Sequence, residues 1–186
     1  MSRIVAGTLG GRRVTMPPGR TTRPTSDRVR EALFSSLATL VELDGCRFAD
    51  LYAGSGAVGI EALSRGAAHA LFVEQDPRTA RVVKANLASL ALAERATVTV
   101  GSVARAVAAP PETPYDVVFA DPPYELPDAE LSVVLDHLVA GGWLTPDSVV
   151  VAERGTRSGP PGWVPGLTGE RSRRYGETTL WYGRPS

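Results

Sequence analysis

From residue 48 to residue 152 the sequence alternates short apolar runs with helical stretches, and few folds accommodate that pattern. The runs are 48–52, 70–73, 97–100, 115–120 and 148–152. Between them lie Val58–Ser64, a stretch from Asp76-Pro77 to about Leu90, and a stretch carrying Leu131, Val134, Leu135 and Leu138. Each of these intervening segments places its apolar residues at helical spacing. Strands joined through helices pair in parallel, with the helices covering both faces of the sheet. Runs 70–73 and 117–120 are apolar throughout, as a strand buried on both faces requires. Residues 170–182 read as a closing hairpin turning at Gly176-Glu177, which would place antiparallel strands at one edge. The expected fold class is α/β, with a mostly parallel sheet.

Ahead of this pattern, residues 3–16 read as a small hairpin around Leu9-Gly10-Gly11. A helix follows from about Asp27 to Leu40, capped by Thr25 or Ser26, with Val29, Leu33, Leu37 and Leu40 on one face. Arg28 and Arg30 sit in its first turns, where the helix dipole disfavours cations, so an anionic partner is expected. The 186 residues thus divide into a basic N-terminal β-hairpin extension, 1–22, and one α/β domain, 23–186.

A net charge of zero argues against a generally basic nucleic-acid binder, but the charges are unevenly placed. Residues 1–30 carry +6, residues 31–152 carry −9 and residues 153–186 carry +3. Nineteen of the twenty basic residues are Arg, the residue suited to bidentate phosphate contacts. Arg3, Arg12, Arg13 and Arg20 at one end, and Arg171, Arg173 and Arg174 at the other, are candidate RNA-backbone contacts. Cys46 is the single cysteine, which excludes an internal disulfide and fits a reducing cytoplasm. No apolar run approaches a bilayer span, and the N-terminus has no signal-like apolar region. With only His69 and His137 to join Cys46, no metal site is expected.

Three constellations carry chemistry, each following a strand. The first is Asp50-Leu51-Tyr52-Ala53-Gly54-Ser55-Gly56-Ala57-Val58-Gly59, a Gly-x-Gly-x-x-Gly loop between strand and helix. Such a loop lets the backbone approach a ligand, or simply makes a tight turn. Asp50 suits a cationic or amine-bearing ligand better than a pyrophosphate, and the absence of Gly-Lys-Ser/Thr removes a P-loop reading. The second is Glu74-Gln75-Asp76, about 20 residues further on, where a carboxylate can accept both ribose hydroxyls. Asp76 serves as the cap before Pro77, so the ribose role falls to Glu74. The third, and most specific, is Asp121-Pro122-Pro123-Tyr124. Two prolines hold a rigid turn in which the Asp carboxylate and a backbone carbonyl can both accept from one planar NH₂ group. Tyr124 offers a flat face for a base.

Together these features resemble the class I methyltransferases that use S-adenosylmethionine (AdoMet) to methylate exocyclic amines of nucleobases. Arg23-Pro24-Thr25, Asp27-Arg28-Val29-Arg30-Glu31-Ala32-Leu33-Phe34, Arg3–Gly7 with Gly11-Arg12-Arg13, and Glu61–Ala67 narrow the resemblance. They are similar to blocks of the bacterial 16S rRNA guanine-N2 methyltransferase family that modifies guanine 966. The resemblance implies a Rossmann-like class I methyltransferase sheet in which Asp50, Tyr52, Ala53, Gly54, Ser55 and Gly56 hold the methionine part of AdoMet. It implies Glu74 and Gln75 at the ribose, Thr25 near the methionine carboxylate, and Arg23 closing over the site. Asp121, the Pro122 carbonyl, Pro123 and Tyr124 would hold the guanine, and Arg3, Arg12 and Arg13 the RNA. Where the family offers Asp or Asn to the adenine amino group, this sequence has Gly101-Ser102, leaving Ser102 as the candidate. A cytoplasmic monomer is implied, acting on 16S rRNA within a small-subunit ribosomal particle, with no membrane or metal partner. The alternatives are a DNA adenine-N6 or cytosine-N4 methyltransferase and a non-catalytic AdoMet- or RNA-binding assembly factor. The 186 residues leave no room for the target-recognition domain a DNA enzyme usually adds.

Overall fold

A computed structural model of the chain describes residues 2–19 and 25–186; Arg20, Arg23 and Pro24 lie outside the described residues. Nine strands and five α-helices occur among them, in the order β1 Ser2–Arg3, β2 Arg13–Val14, α1 Asp27–Leu37, β3 Arg47–Leu51, α2 Ala57–Ser64, β4 His69–Glu74 and α3 Pro77–Ser89. Then come β5 Ala96–Val100, α4 Val103–Ala108, β6 Tyr115–Ala120, α5 Asp128–Ala140, β7 Leu144–Gly155, β8 Leu167–Tyr175 and β9 Thr178–Pro185. Seven strands form one sheet in the order β5-β4-β3-β6-β7-β9-β8. The first five pair in parallel, and β9 and β8 complete the edge antiparallel. This is the expected α/β sheet with its C-terminal hairpin.

The strands are buried because both faces are covered. One apolar layer gathers Leu33, Phe34 and Leu37 of α1, Ile60 and Leu63 of α2 and Val83 of α3 beneath Phe48, Phe72, Val117 and Phe119. The other gathers Val103 and Val107 of α4 and Leu131, Leu135 and Leu138 of α5 against Ala49, Leu71, Val118 and Val150. Strand residues alternate between the two layers, as a pleated sheet demands.

Several boundaries differ from the sequence reading. Helix α1 stops at Leu37 rather than about Leu40, and Ser26 is its cap, accepting from Val29 N at 3.2 Å. Helix α4 was not expected: its six residues are too few to display a helical period. Strand β7 begins four residues before Ser148, despite Pro146. The register between β6 and β7 shifts between Tyr115 and Val117, an irregularity of the kind that accommodates a strand proline.

The N-terminal hairpin pairs over only two residues per strand. The reason is Glu61, whose carboxylate takes the backbone N–H groups of Val5 (2.8 Å) and Ala6 (3.0 Å), so these bonds go to α2 instead of across a ladder. Ile4 and Val14 enter the same apolar layer as α1 and α2. Arg30 finds the anionic partner that its place in α1 called for. It is almost fully buried and bonds Glu61 Oε1 at 3.1 Å, Asp27 Oδ1 at 3.0 Å and the Arg3 carbonyl. Arg28 remains exposed.

Candidate active site

Parallel strands present their carboxyl ends at one sheet edge, and ligands of open α/β sheets bind in the crevice there. In this chain that edge holds a cavity of about 960 Å³. Its lining includes Thr25, Asp50, Tyr52, Ala53, Gly54, Ser55, Glu74, Gln75, Asp121, Pro122, Pro123 and Tyr124. Residues spread over a hundred positions of sequence therefore meet around one space. Gly56 and Ser102 have helix-capping places instead. Gly56 precedes α2 in a left-handed conformation, and the Ser102 hydroxyl accepts from Arg105 N at the start of α4. Arg3, Arg12 and Arg13 are exposed on the hairpin, away from the cavity lining.

The glycine loop is held from below. Asp50, next to last in β3, is almost fully buried, with Oδ2 accepting from Gly59 N at 3.0 Å. Gly59 must lack a side chain because a Cβ there would lie 2.4 Å from the Phe72 ring. Tyr52 takes φ of +61°, an uncommon conformation for a non-glycine residue and one that tends to occur at functional sites. Glu74, at the end of β4, accepts from Gly54 N at 2.8 Å and Asp76 N at 3.1 Å. It therefore has a structural task that the sequence reading had left only to Asp76. Asp76 caps α3 as expected, taking Thr79 Oγ1 at 2.8 Å. On the far side of the loop, Asn86 of α3 donates to the Ser55 carbonyl at 3.0 Å and to the Thr15 carbonyl at 2.9 Å. It also accepts from Thr15 N at 2.9 Å.

Burial raises the Asp50 carboxyl well above the ordinary carboxylate range; the Gly59 N–H draws it back, while the charges of Glu74 and Glu153 push it up further. A buried acid flanked by other acids is stabilised in its charged form by a cation. AdoMet carries an ammonium and a sulfonium, so these residues fit it.

At the end of β6 the Asp121–Tyr124 turn faces the cavity, with Tyr124 70% exposed. The ring leans on β7: a Cβ at Gly155 would lie 2.7 Å from Tyr124 Cε1. The sequence reading missed Glu153 of β7, which is buried and lines the same cavity. Thr25 Oγ1 donates to Glu153 Oε2 at 2.7 Å and lies 3.5 Å from Asp121 Oδ2. The signal was available, since an acid ends the apolar run Val149-Val150-Val151-Ala152 just as Asp50 and Glu74 interrupt or end theirs. At the other candidate RNA surface, Arg171 is held at the C-terminal end of α1 by the Ser36 carbonyl and by the Thr39 hydroxyl just beyond it, whereas Arg173 and Arg174 are exposed.

Among the described residues, no group of three or more His, Cys, Asp and Glu is placed to hold a metal ion, and no helix is long and apolar enough to cross a membrane.

Residues 2–184 match the family described as conserved hypothetical protein 95. The chain is 40% identical over 159 residues to ribosomal RNA small subunit methyltransferase D of Escherichia coli (strain K12), covering 86% of this chain and 77% of that protein. It is 38% identical over 178 residues to YlbH of Bacillus subtilis (strain 168), described as an rRNA methyltransferase, covering 95% of each. The solved structure of Escherichia coli yhhF, described as a methyltransferase, superposes with a TM-score of 0.86 at 32% identity. That match covers 99% of this chain and 97% of the other. Similarity of this extent takes in the sheet, the glycine loop and the proline turn alike, and the chain belongs to the conserved hypothetical protein 95 family, that of the bacterial small-subunit rRNA methyltransferases D, with the class I methyltransferase fold.

Proposed function

We propose that this protein transfers a methyl group from AdoMet to the exocyclic N2 of guanine 966 in 16S rRNA. The observation that carries the reading is the rigid Asp121-Pro122-Pro123-Tyr124 turn facing the same cavity as the glycine loop and Glu74. The loop from Asp50 to Gly56 holds the methionine part of the cofactor, Glu74 and Gln75 its ribose, and Ser102 is the candidate for its adenine amino group. Thr25, in the cavity lining, serves the methionine carboxylate, and Arg23 is assigned the role of closing over the site.

AdoMet supplies the methyl group as an electrophilic carbon on a sulfonium. The guanine N2 is a poor nucleophile because its lone pair is delocalised into the ring. Asp121 and the Pro122 carbonyl accept hydrogen bonds from its two hydrogens, which favours a more tetrahedral nitrogen. As the N–C bond forms, the sulfonium–carbon bond breaks to leave a neutral thioether, and N2 gives up one proton to the Asp121 carboxylate or to water. The Asp121 carboxylate also offsets the positive charge that develops there. Pro123 stiffens the turn and Tyr124 stacks on the base, so both hold N2 in line with the methyl group. The base must be splayed from any helix to reach the cavity. Direct transfer calls for no metal and no covalent intermediate.

The hairpin, residues 1–22, acts as a basic extension whose Arg3, Arg12 and Arg13 meet the RNA backbone. The protein works as a cytoplasmic monomer on 16S rRNA within a small-subunit particle.

A methyl-transfer assay with labelled AdoMet, comparing naked 16S rRNA, assembled small subunits and duplex DNA, tests the substrate. Label should map to one guanine by mass analysis; incorporation into DNA alone would overturn the reading. Asp121→Ala should lower kcat by at least about 100-fold, the range seen when one transition-state acceptor or donor is lost, with AdoMet affinity little changed. Equal losses in turnover and AdoMet affinity would remove the role given to Asp121.

A further inference from the structure

In spatial order β4, β3, β6 and β7 bring four carboxylates to the cavity: Glu74, Asp50, Asp121 and Glu153. The proposed reaction uses the first three. Glu153 lies beyond Asp121, on the side of the sheet away from the glycine loop, and the Tyr124 ring rests on the same strand two residues later. Its place is therefore on the Asp121 side of the cavity, next to the turn proposed to hold the base, though its charge also reaches Asp50. One hydroxyl, that of Thr25, is flanked by Glu153 Oε2 at 2.7 Å and Asp121 Oδ2 at 3.5 Å, so the two carboxylates converge on a shared point. Thr25 engages Oε2, and among the described residues Oε1 accepts no hydrogen bond. Burial raises the Glu153 carboxyl above the ordinary range and the Thr25 hydroxyl draws it back; a further donor would draw it back more.

The turn at Asp121 can hold any exocyclic amine, because the C2 amine of guanine, the C6 amine of adenine and the C4 amine of cytosine present the same two hydrogens. The bases differ at the ring nitrogen next to that amine. Guanine N1 carries a hydrogen, whereas adenine N1 and cytosine N3 present a bare lone pair. A second ionised carboxylate beside the first accepts from guanine and repels the other two. We propose that Glu153 reads the N1–H of guanine and so restricts the proline turn to guanine. The proposal rests on the reading of Asp121 as an acceptor for the target amine. It is selection by a misplaced lone pair as much as by a new attraction, the usual basis of strong discrimination at a buried polar site.

The test uses one RNA carrying either the target guanine or 2-aminopurine in its place. 2-Aminopurine keeps the C2 amine but has a bare N1. Because burial raises the Glu153 carboxyl, the ratio is read across rising pH up to about 8; there the wild-type protein should favour guanine by at least about 100-fold in kcat/KM. Glu153→Gln can turn its NH₂ toward a bare N1, and should shrink that ratio to about tenfold or less. AdoMet affinity is measured alongside, because the Glu153 charge also reaches Asp50. Both substrates are read on one preparation, so any misfolded fraction cancels from the ratio. An unchanged ratio in Glu153→Gln overturns the inference, as does a defect confined to AdoMet affinity. Asp121→Ala, measured alongside, separates the two levels. Full turnover in that variant would fell the Asp121 reading itself, while its loss together with an unchanged Glu153→Gln ratio fells only the role of Glu153.

Discussion

Asp50 shows how a binding residue can work against the fold that contains it. Its carboxyl is raised well above the ordinary range, with burial the largest cause. A folded-state pKa above the unfolded one means that the native state holds the proton more tightly. The associated stability is fully present below the unfolded value of about 3.9 and is lost as pH rises toward the raised value. Asp50→Asn keeps an oxygen for Gly59 N and removes the titration. Thermal unfolding of the ligand-free variant should therefore match wild type at about pH 3.5 and exceed it by a few degrees at about pH 8. Its AdoMet affinity, measured by calorimetry, should fall at least about tenfold, a loss of roughly 1.4 kcal/mol of charge pairing. A variant less stable than wild type at pH 8 would show that Asp50 is not held against its charge. The position of Asp50 was legible as an acid before a glycine loop, and Glu74 as an acid at a strand end. That Glu74 also ties Gly54 N to Asp76 N was not legible, because the sequence does not state which backbone groups a loop leaves unpaired.

At the scale of elements, Glu61 does the most. It is fully buried in α2 and takes bonds from Val5 N, Ala6 N, Arg30 Nε and Arg65 Nε, so hairpin, α1 and α2 meet on one side chain. Removing one member of such a pair strands the other charge in the core. Glu61→Ala should cost about 3–5 kcal/mol. Chemical denaturation would show this as a lower midpoint, and a loss under about 1 kcal/mol would mean water rescues Arg30. The sequence did carry a trace of this network. Arg30 in the first turns of a helix demanded an anion, and it has one. The partner could not be named, since Glu61 lies on another element and reads only as an acid in an apolar helix. Helix α4 and the early start of β7 were missed for local reasons, a six-residue helix and a proline inside a strand. The five parallel strands and the closing hairpin were legible because each combines an apolar run with its own turn signal.

For the whole molecule, the net charge of zero conceals an uneven placement of charge. Asp50, Glu74, Asp121 and Glu153 line the cavity, whereas the hairpin's Arg3, Arg12 and Arg13 are exposed and do not. Reversing both charges, Arg12→Glu with Arg13→Glu, should weaken binding to 16S rRNA by about tenfold or more at low salt. It should also flatten the salt dependence of binding by about one to two phosphate contacts. AdoMet affinity should stay as it was. Filter binding across a salt series would test this, and an unchanged slope would take the hairpin out of the RNA interface.

The amide of Asn86 gives the molecule a single point of failure. It spends two hydrogens and one lone pair in joining Thr15, at the end of the hairpin, to Ser55 in the glycine loop. Aspartate is the nearest replacement in size, yet it would turn a lone pair toward carbonyl oxygens that need a hydrogen. A one-letter change there would loosen the outer arm and the ligand loop in one stroke, so these two parts have to be inherited together.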